Sequence, residues 1–220
     1  MLGTFRRERA EDVGLVYEDI RNRFINDPEM IQPYEALFTN LLLLGAKNPL
    51  RTILVTSTQP QEGKTTVTVN LAVTMSLASK KVVVVDADLR RPSLHTIFQT
   101  GNTRGVAEML AGTVGVRDAV QVVRRPGDLS VGEEPIRLIT SGRVSSSTFK
   151  ALASLRLAEV IEQLKEEYDV MLFDSPPVLA VTDALVLSSL VDGVLMVVKS
   201  GEARITTCQL ALDSLSSLKA

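Results

Sequence analysis

The sequence predicts a three-layer α/β/α domain built on a doubly wound, mostly parallel sheet. From Arg51 onward, short runs of Val, Ile and Leu alternate with amphipathic segments of helical spacing. The apolar runs lack polar alternation, which is typical of strands covered on both faces. Because strand and helix alternate, we expect parallel pairing through right-handed crossovers. A chain of 220 residues is long enough for one such domain with a large buried core.

The first fifty residues predict helices separated by turns. Glu18–Phe24 and Tyr34–Leu44 have helical spacing, and the turn signals Asn26-Asp27-Pro28 and Pro33 lie between them. We therefore expect residues 1–50 to form an N-terminal helical segment for docking or oligomerisation, followed by the main domain at residues 51–220. The chain stops just after a predicted helix, where such a sheet usually continues, so we expect a domain truncated at its C-terminal end.

The main domain contains five predicted strands and four predicted helices. The strands are Thr52–Thr56, Val82–Asp86, Ile136–Thr140, Val170–Asp174 and Val194–Lys199. The helices are Thr65–Ala78, Ser154–Glu167, Asp183–Leu190 and Arg204–Leu218. The stretch Arg124–Pro135 is rich in Pro, Gly and charge, which predicts an exposed loop with a short hairpin.

Composition excludes several classes of protein. The formal net charge of -2 gives no general attraction to nucleic acid or anionic lipid, and the absence of Trp disfavours stacking platforms for single strands. Cys208 is the only cysteine, which rules out an internal disulfide and disfavours a zinc cluster. No leader opens the chain and no apolar run approaches the roughly 20 residues that span a bilayer, so we expect a cytoplasmic chain without a membrane span.

A phosphate-binding loop follows the first strand of the main domain. Ser57-Thr-Gln-Pro-Gln-Glu-Gly63-Lys64-Thr65-Thr66 lies between this strand and a predicted helix. In that context the loop amides and the helix N-terminus face phosphates, and Gly63 permits close backbone approach. Lys64 reaches the outer phosphates, and the Thr65 hydroxyl binds Mg²⁺. We assign nucleotide contacts to Gln61, Glu62, Gly63, Lys64, Thr65 and Thr66.

The loop departs from the general pattern G-x-x-x-x-G-K-[ST] at its first glycine, where this chain has Thr58. The alternative is an ordinary strand–turn–helix with a lysine at the helix start. The coincidence of strand, Gly-Lys-Thr and helix favours the phosphate loop.

Carboxylates follow two further predicted strands. Asp86 and Asp88 end one strand and Asp174 ends another, at the sheet edge where open α/β folds bind ligands. Three such acids can hold a hydrated Mg²⁺, and one can accept a proton from a substrate hydroxyl. The alternative is exposed carboxylates that cap helices. The metal role is favoured for Asp86 and Asp174, whereas the two roles are evenly balanced for Asp88.

Together these segments resemble the bacterial tyrosine kinases of capsule and exopolysaccharide synthesis, which are P-loop NTPase-like proteins. The family pattern T-S-x-x-P-x-E-G-K-[ST] is matched by Thr56, Ser57, Pro60, Glu62, Gly63, Lys64 and Thr65. Its D-x-D-x-R pattern is matched by Asp86, Asp88 and Arg90, and its Walker B strand by Val170–Asp174. The likeness runs from about Pro33 to the C-terminus.

The resemblance implies an ATP- and Mg²⁺-dependent protein-tyrosine (auto)kinase, with residues 51–220 as its ATP-binding domain. It implies that Asp86 is the base toward a tyrosine hydroxyl and that Arg90 is a phosphate-proximal or structural cation. The implied catalytic residues are Lys64, Asp86, Asp88 and Arg90. The implied metal-binding residues, directly or through water, are Thr65, Asp86, Asp88 and Asp174.

The resemblance also implies an inner-membrane polysaccharide co-polymerase as activating partner, self-association, and a location at the inner face of the membrane. Two departures concern assembly: Phe38 and Leu41 stand where the family has the arginines of E-x-x-R-x-x-R, and no tyrosine follows Tyr168. Two alternatives remain, a partitioning-type ATPase switch that dimerises with nucleotide, and a nucleotide-binding scaffold. Partitioning ATPases carry an extra lysine where this chain has Gln59, which favours the kinase.

Overall fold

The computed structural model describes residues 26–123, 134–152 and 155–217. The described strands are β1 (Thr52–Ser57), β2 (Val82–Asp86), β3 (Gln121–Val122), β4 (Arg137–Ile139), β5 (Val170–Asp174) and β6 (Gly193–Val197). The longer helices are α1 (Pro28–Leu44), α2 (Lys64–Leu77), α7 (Leu155–Lys165) and α9 (Ile205–Ser216). Shorter helices are α3 (Leu94–Ile97), α4 (Val106–Ala111), α5 (Val116–Ala119), α6 (Ser146–Leu152) and α8 (Asp183–Ser188).

The strands form one six-stranded sheet in the order β3-β4-β2-β5-β1-β6. Every pair in it is parallel except β3 with β4. All five predicted strands are present, and β2 and β5 have the predicted bounds. The register places Asp86 beside Asp174, so these two strands end at the same level of the sheet.

Apolar side chains alternate between the two faces of the sheet, as the pleat requires. On one face, Leu54 and Phe173 pack with buried residues of α4, α7 and α8. On the other face, Ile53 and Leu172 pack with buried residues of α1, α2 and α3. Helices therefore cover the sheet on both sides, which confirms the three-layer prediction.

The prediction that Pro33 interrupts the N-terminal helices is wrong, because Pro33 lies inside α1. Asp27 caps this helix by accepting the Glu29 N–H at 3.0 Å, and Pro28 occupies its first position. The helix continues although Pro33 has no N–H to donate, since Phe38 is buried against the core and Leu41 packs beside it. The other predicted helix, Glu18–Phe24, lies outside the described residues.

The predicted loop at Arg124–Pro135 falls largely on residues 124–133, which lie outside the described residues. On either side of them, Gln121 pairs with Leu138 and Val122 with Arg137 in antiparallel register. The short helices α3 to α6 were not predicted from the sequence. Across the described ranges, no helix combines the length and the apolar character needed to traverse a bilayer.

Candidate phosphate-binding and catalytic site

The loop from Thr58 to Gly63 joins the C-terminal end of β1 to the first turn of α2. Gly63 adopts a left-handed conformation with φ of 92°, and Gln61 has φ of 64°. A Cβ atom on Gly63 would meet nothing within 4 Å, so backbone conformation rather than crowding favours glycine here. The open space beside Gly63 leaves its backbone accessible from the cavity described below.

The Glu62 side chain stabilises the loop through hydrogen bonds to other loop residues. Its carboxylate accepts hydrogen bonds from the Thr58 N–H at 2.8 Å, the Gln59 N–H at 2.9 Å and the Thr58 hydroxyl at 3.0 Å. Thr58 is buried and has no positive φ, so it fits a position where most phosphate loops have glycine. These bonds engage both oxygens of the Glu62 carboxylate, and of the six predicted nucleotide contacts Glu62 is the one that does not line the cavity described below.

A cavity of about 620 Å³ opens in front of this loop. Its walls come from the phosphate loop, the segment after β2 and the segment after β5. The lining residues are Pro60, Gln61, Gly63, Lys64, Thr65, Thr66, Asp88, Arg90, Arg91, Pro176, Pro177, Ala180 and Val181. The structure therefore brings five of the six predicted nucleotide contacts, together with Asp88 and Arg90, to one cavity.

Asp86 and Asp174 lie buried beside the cavity at the ends of adjacent strands. The Thr65 hydroxyl donates to Asp174 Oδ2 at 2.6 Å. Asp86 Oδ2 accepts the backbone N–H groups of Ser93 and Leu94, both at 3.1 Å. One oxygen of each carboxylate is thus fixed by the protein.

Burial raises the pKa of both carboxyl groups. The pKa of Asp86 rises to about 8, first through desolvation and then through the charge of Asp174. The pKa of Asp174 rises to about 7 through desolvation, although the hydrogen bond from Thr65 and the charge of Lys64 oppose the rise. Such pKa values lie near neutrality, as those of groups that exchange protons during catalysis do.

The second oxygens of these carboxylates, Asp86 Oδ1 and Asp174 Oδ1, are buried and have no hydrogen-bond partner in the part of the chain that the structure describes. Unpaired buried carboxylate oxygens are costly, and a divalent cation with its water would satisfy them. Within the described ranges, no three His, Cys, Asp or Glu residues are grouped as a metal site. The arrangement therefore fits Mg²⁺ held largely by water and phosphate, which needs only one or two carboxylates.

Arg90 and Asp88 follow β2 at the mouth of the cavity. Arg90 forms a two-pronged ion pair with Asp183, at 2.9 and 3.2 Å, and its guanidinium lies 4.7 Å from the centre of the Phe149 ring. Asp88 Oδ1 accepts the N–H groups of Arg90 and Arg91. The sequence left two roles open for each residue: a phosphate-proximal or structural cation for Arg90, and a metal ligand or a cap for Asp88. In the structure Arg90 has the contacts of a structural cation, and Asp88 Oδ1 caps backbone N–H groups.

Sequence reasoning missed Asp183 as a partner of the site. An acid in the first turn of a predicted helix is usually explained by the helix dipole, so nothing in the local pattern pointed to Arg90. Pro176 and Pro177, which follow β5, also line the cavity. Pro176 also accepts the Thr56 hydroxyl at 2.9 Å, which ties the ends of β1 and β5 together.

Known proteins resemble this chain in sequence and in fold. A family model described as an AAA domain matches residues 50–211. The tyrosine-protein kinase YwqD of Bacillus subtilis (strain 168) is 32% identical over 188 residues, which cover 86% of this chain and 76% of the relative. The solved kinase domain of Escherichia coli tyrosine kinase ETK is similar with a TM-score of 0.83 and 26% identity, over 98% of this chain and 80% of that one.

A more distant similarity links the chain to a different class of protein. The septum site-determining protein MinD of Pyrococcus horikoshii OT3, solved in complex with Mg-ADP, has a TM-score of 0.62 and 27% identity to this chain. That match covers 77% of this chain and 65% of the other.

Proposed function

The chain belongs to the bacterial tyrosine-protein kinases, and we propose that it transfers the γ-phosphoryl group of ATP to tyrosine hydroxyls in the control of capsule or exopolysaccharide synthesis. The observation that carries the proposal is the joint placement of Lys64, Thr65, Asp86 and Asp174. The last two are buried neighbours at the sheet edge, and the Thr65 hydroxyl links the phosphate loop to Asp174.

The phosphates of ATP are held by the loop and by the start of α2. Amides from Gln61 to Thr66 and the positive end of the helix dipole attract the phosphate oxygens. Lys64, which lines the cavity, adds a full positive charge. These groups are already ordered before the nucleotide binds, because Glu62 fixes the loop. Positioning and charge neutralisation supply most of the catalysis of phosphoryl transfer.

Thr65, Asp86, Asp88 and Asp174 would hold Mg²⁺, directly or through water. Asp88 would do so through Oδ2, since its Oδ1 accepts backbone N–H groups. When bound, the ion neutralises charge on the β- and γ-phosphates. Asp86 has a second role, as base. Its Oδ2 is occupied by the Ser93 and Leu94 amides, so Oδ1 is the oxygen that accepts the tyrosine proton. A pKa near neutrality suits this transfer.

Incubation with labelled ATP and Mg²⁺ tests the proposal. We expect phosphotyrosine on the chain or on a supplied tyrosine-containing peptide, and a loss of about 100-fold or more in Lys64→Met and Asp86→Asn. Lys47→Met and Asp118→Asn are matched controls, because both replace exposed residues away from the cavity. Folded wild-type protein that makes no phosphotyrosine at any protein concentration would remove the kinase assignment.

The similarity to MinD supports a second candidate, an ATPase switch that dimerises with nucleotide. Against it, Gln59 stands where such ATPases carry their extra lysine. ATP hydrolysis with nucleotide-dependent dimerisation and without tyrosine phosphorylation would favour the switch. ATP binding without turnover, unchanged in Asp86→Asn, would instead favour a nucleotide-binding scaffold.

We further propose that the kinase acts in the cytoplasm at the inner face of the membrane, recruited by an inner-membrane polysaccharide co-polymerase, and that it self-associates. In this arrangement residues 1–50 serve docking or oligomerisation and residues 51–220 form the ATP-binding domain. Phe38 and Leu41, which replace the family arginines, pack on the core, so subunit contacts at α1 must use other side chains. Sedimentation with and without nucleotide measures this self-association.

A further inference from the structure

The order of strands determines the side from which an acceptor approaches the nucleotide. The phosphate loop follows β1, and the next strands along the sheet are β5, β2 and β4. Neighbouring strands are about 4.8 Å apart, so β4 lies roughly 14 Å from β1 across the same edge. In phosphoryl transfer the attacking oxygen and the leaving oxygen lie on opposite sides of the γ-phosphorus. The acceptor therefore enters from the side of the γ-phosphate that faces away from the rest of the nucleotide. The acids that end β5 and β2 lie on the β4 side of the phosphate loop, so we take the edge above β2 and β4 as the acceptor side.

Three arginines, which we call the arginine rim, lie on segments next to the ends of β2 and β4 at this edge of the sheet. They are Arg91, Arg104 and Arg143, and all three are exposed. Arg91 follows β2 and lines the cavity. Arg104 precedes Gly105, which forms a parallel bridge with Thr140 at the end of β4, and Arg143 lies three residues beyond Thr140.

The guanidinium groups of the rim have no ion-pair or hydrogen-bond partner among the described residues. The carboxylates near them are engaged elsewhere. Glu108 accepts the backbone N–H groups of Gly105 and Arg143, and Asp183 pairs with Arg90. Three exposed positive charges thus stand at the acceptor side of a chain whose net charge is -2.

Glycines hold two of these arginines close to the end of β4. A Cβ atom on Gly105 would lie 2.0 Å from the Thr140 carbonyl oxygen, so the backbone beside Arg104 packs directly on β4. Gly142 has φ of 74°, and its N–H is accepted by Asn102 at 2.8 Å. These contacts order the backbone next to Arg104 and Arg143, so both side chains start from fixed backbone positions.

We propose that the arginine rim binds acidic residues that flank the acceptor tyrosine, which makes acidic peptide segments the preferred substrate class. This inference rests on the proposed kinase function. Opposite charge at a rim raises the association rate and selects among partners more than it adds affinity. Nucleic acid is the less favoured polyanion, since the chain is acidic overall and has no Trp for stacking.

The test measures binding and phosphorylation separately with paired peptides. Each carries one tyrosine flanked by glutamates or by lysines, and a matching set has phenylalanine in place of tyrosine for fluorescence anisotropy. We expect the acidic peptides to bind more tightly, with the preference weakened by salt. The double variant Arg104→Glu/Arg143→Glu should lose roughly tenfold in affinity for the acidic peptide and reverse the preference. Arg91 is kept because it lines the nucleotide cavity.

Lys47→Glu/Lys81→Glu is the matched control, because it makes the same charge change at two exposed positions that precede β1 and β2, at the opposite edge of the sheet. It should leave the preference intact.

Equal binding of acidic and basic peptides by wild type, or an unchanged preference in the double variant, would overturn the rim proposal. If the phenylalanine peptides bind as expected but no tyrosine is phosphorylated, the rim stands as an acidic-peptide site and the kinase function fails. If the acidic and the basic tyrosine peptides are bound and phosphorylated equally, the kinase function stands and the rim fails.

Discussion

Glu62 acts inside its own loop, where its carboxylate accepts the N–H groups of Thr58 and Gln59 and the hydroxyl of Thr58. Thr58, which supplies two of these three donors, is buried, so its N–H and hydroxyl need an acceptor. The pairing also explains the threonine at the position of the first loop glycine, because the conformation there needs no positive φ. Sequence alone identified the loop and its Lys64, but the reach of Glu62 back to Thr58 requires the folded geometry.

Replacing Glu62 by alanine should therefore weaken nucleotide binding without removing any contact to the nucleotide. Leaving these donors unpaired costs about 1–3 kcal/mol, which corresponds to a rise of roughly 5- to 100-fold in the Kd for Mg-ADP. Titration calorimetry measures it. Glu159→Ala, at an exposed position of α7, should bind like wild type. An unchanged Kd in Glu62→Ala would show that the loop does not depend on this carboxylate.

Asp86 and Asp174 make the stability of the nucleotide-free protein depend on pH. Their pKa values rise from 3.8 to about 8 and about 7, so the folded state holds protons that the unfolded chain has released. This stabilisation is fully present below pH 3.8 and falls as pH rises, by about 1.4 kcal/mol per pH unit for each group. The contribution of Asp174 is lost by about pH 7 and that of Asp86 by about pH 8.

Urea unfolding in the presence of a chelator checks this expectation. Between about pH 5 and pH 9, wild type should lose more unfolding free energy than Asp86→Asn, because the variant lacks the larger of the two pKa shifts. The comparison with the variant removes the contribution of groups that titrate in both proteins. Equal losses in the two proteins, or a gain with rising pH that Asp86→Asn abolishes, would contradict the burial argument.

At the scale of elements, hydrophobic patterning located every buried strand. Helices cover both faces of strands such as β2 and β5, so these strands are continuous apolar runs. Such runs can be recognised directly in the sequence. The short helices α3 to α6 span four to seven residues, too few to display a helical period. Pro33 was misjudged for another reason: its local cost to α1 is outweighed by burial of Phe38 farther along the helix.

The contact between α4 and β4 depends on Gly105. A methyl group there would lie 2.0 Å from the Thr140 carbonyl oxygen and 2.5 Å from the Gly142 nitrogen, and neither backbone atom can move freely. Gly105→Ala should therefore lower the unfolding free energy by about 2 kcal/mol or more. Gly101→Ala is the control, because nothing lies within 4 Å of its Cβ position. Thermal unfolding compares the two variants, and equal midpoints would refute the close approach.

At the scale of the whole molecule, the sheet order places the parts of the site in sequence across one edge. The phosphate loop follows β1, the buried acids Asp174 and Asp86 end β5 and β2, and the arginine rim lies next to the ends of β2 and β4. Sequence predicted that these strand ends share an edge, since parallel strands present their C-terminal ends together. It did not predict their order, because the crossover that places β5 between β1 and β2 depends on packing between distant segments.

Titration of ADP, with and without Mg²⁺, into the folded chain and into Asp174→Asn tests the central claim most directly. The claim is that the amides around Gly63, Lys64 and the buried carboxylates form one site for a nucleotide and its cation. We expect wild type to bind ADP more tightly when Mg²⁺ is present, and Asp174→Asn to lose most of that enhancement. Absence of binding by well-folded wild type in either condition would contradict the account.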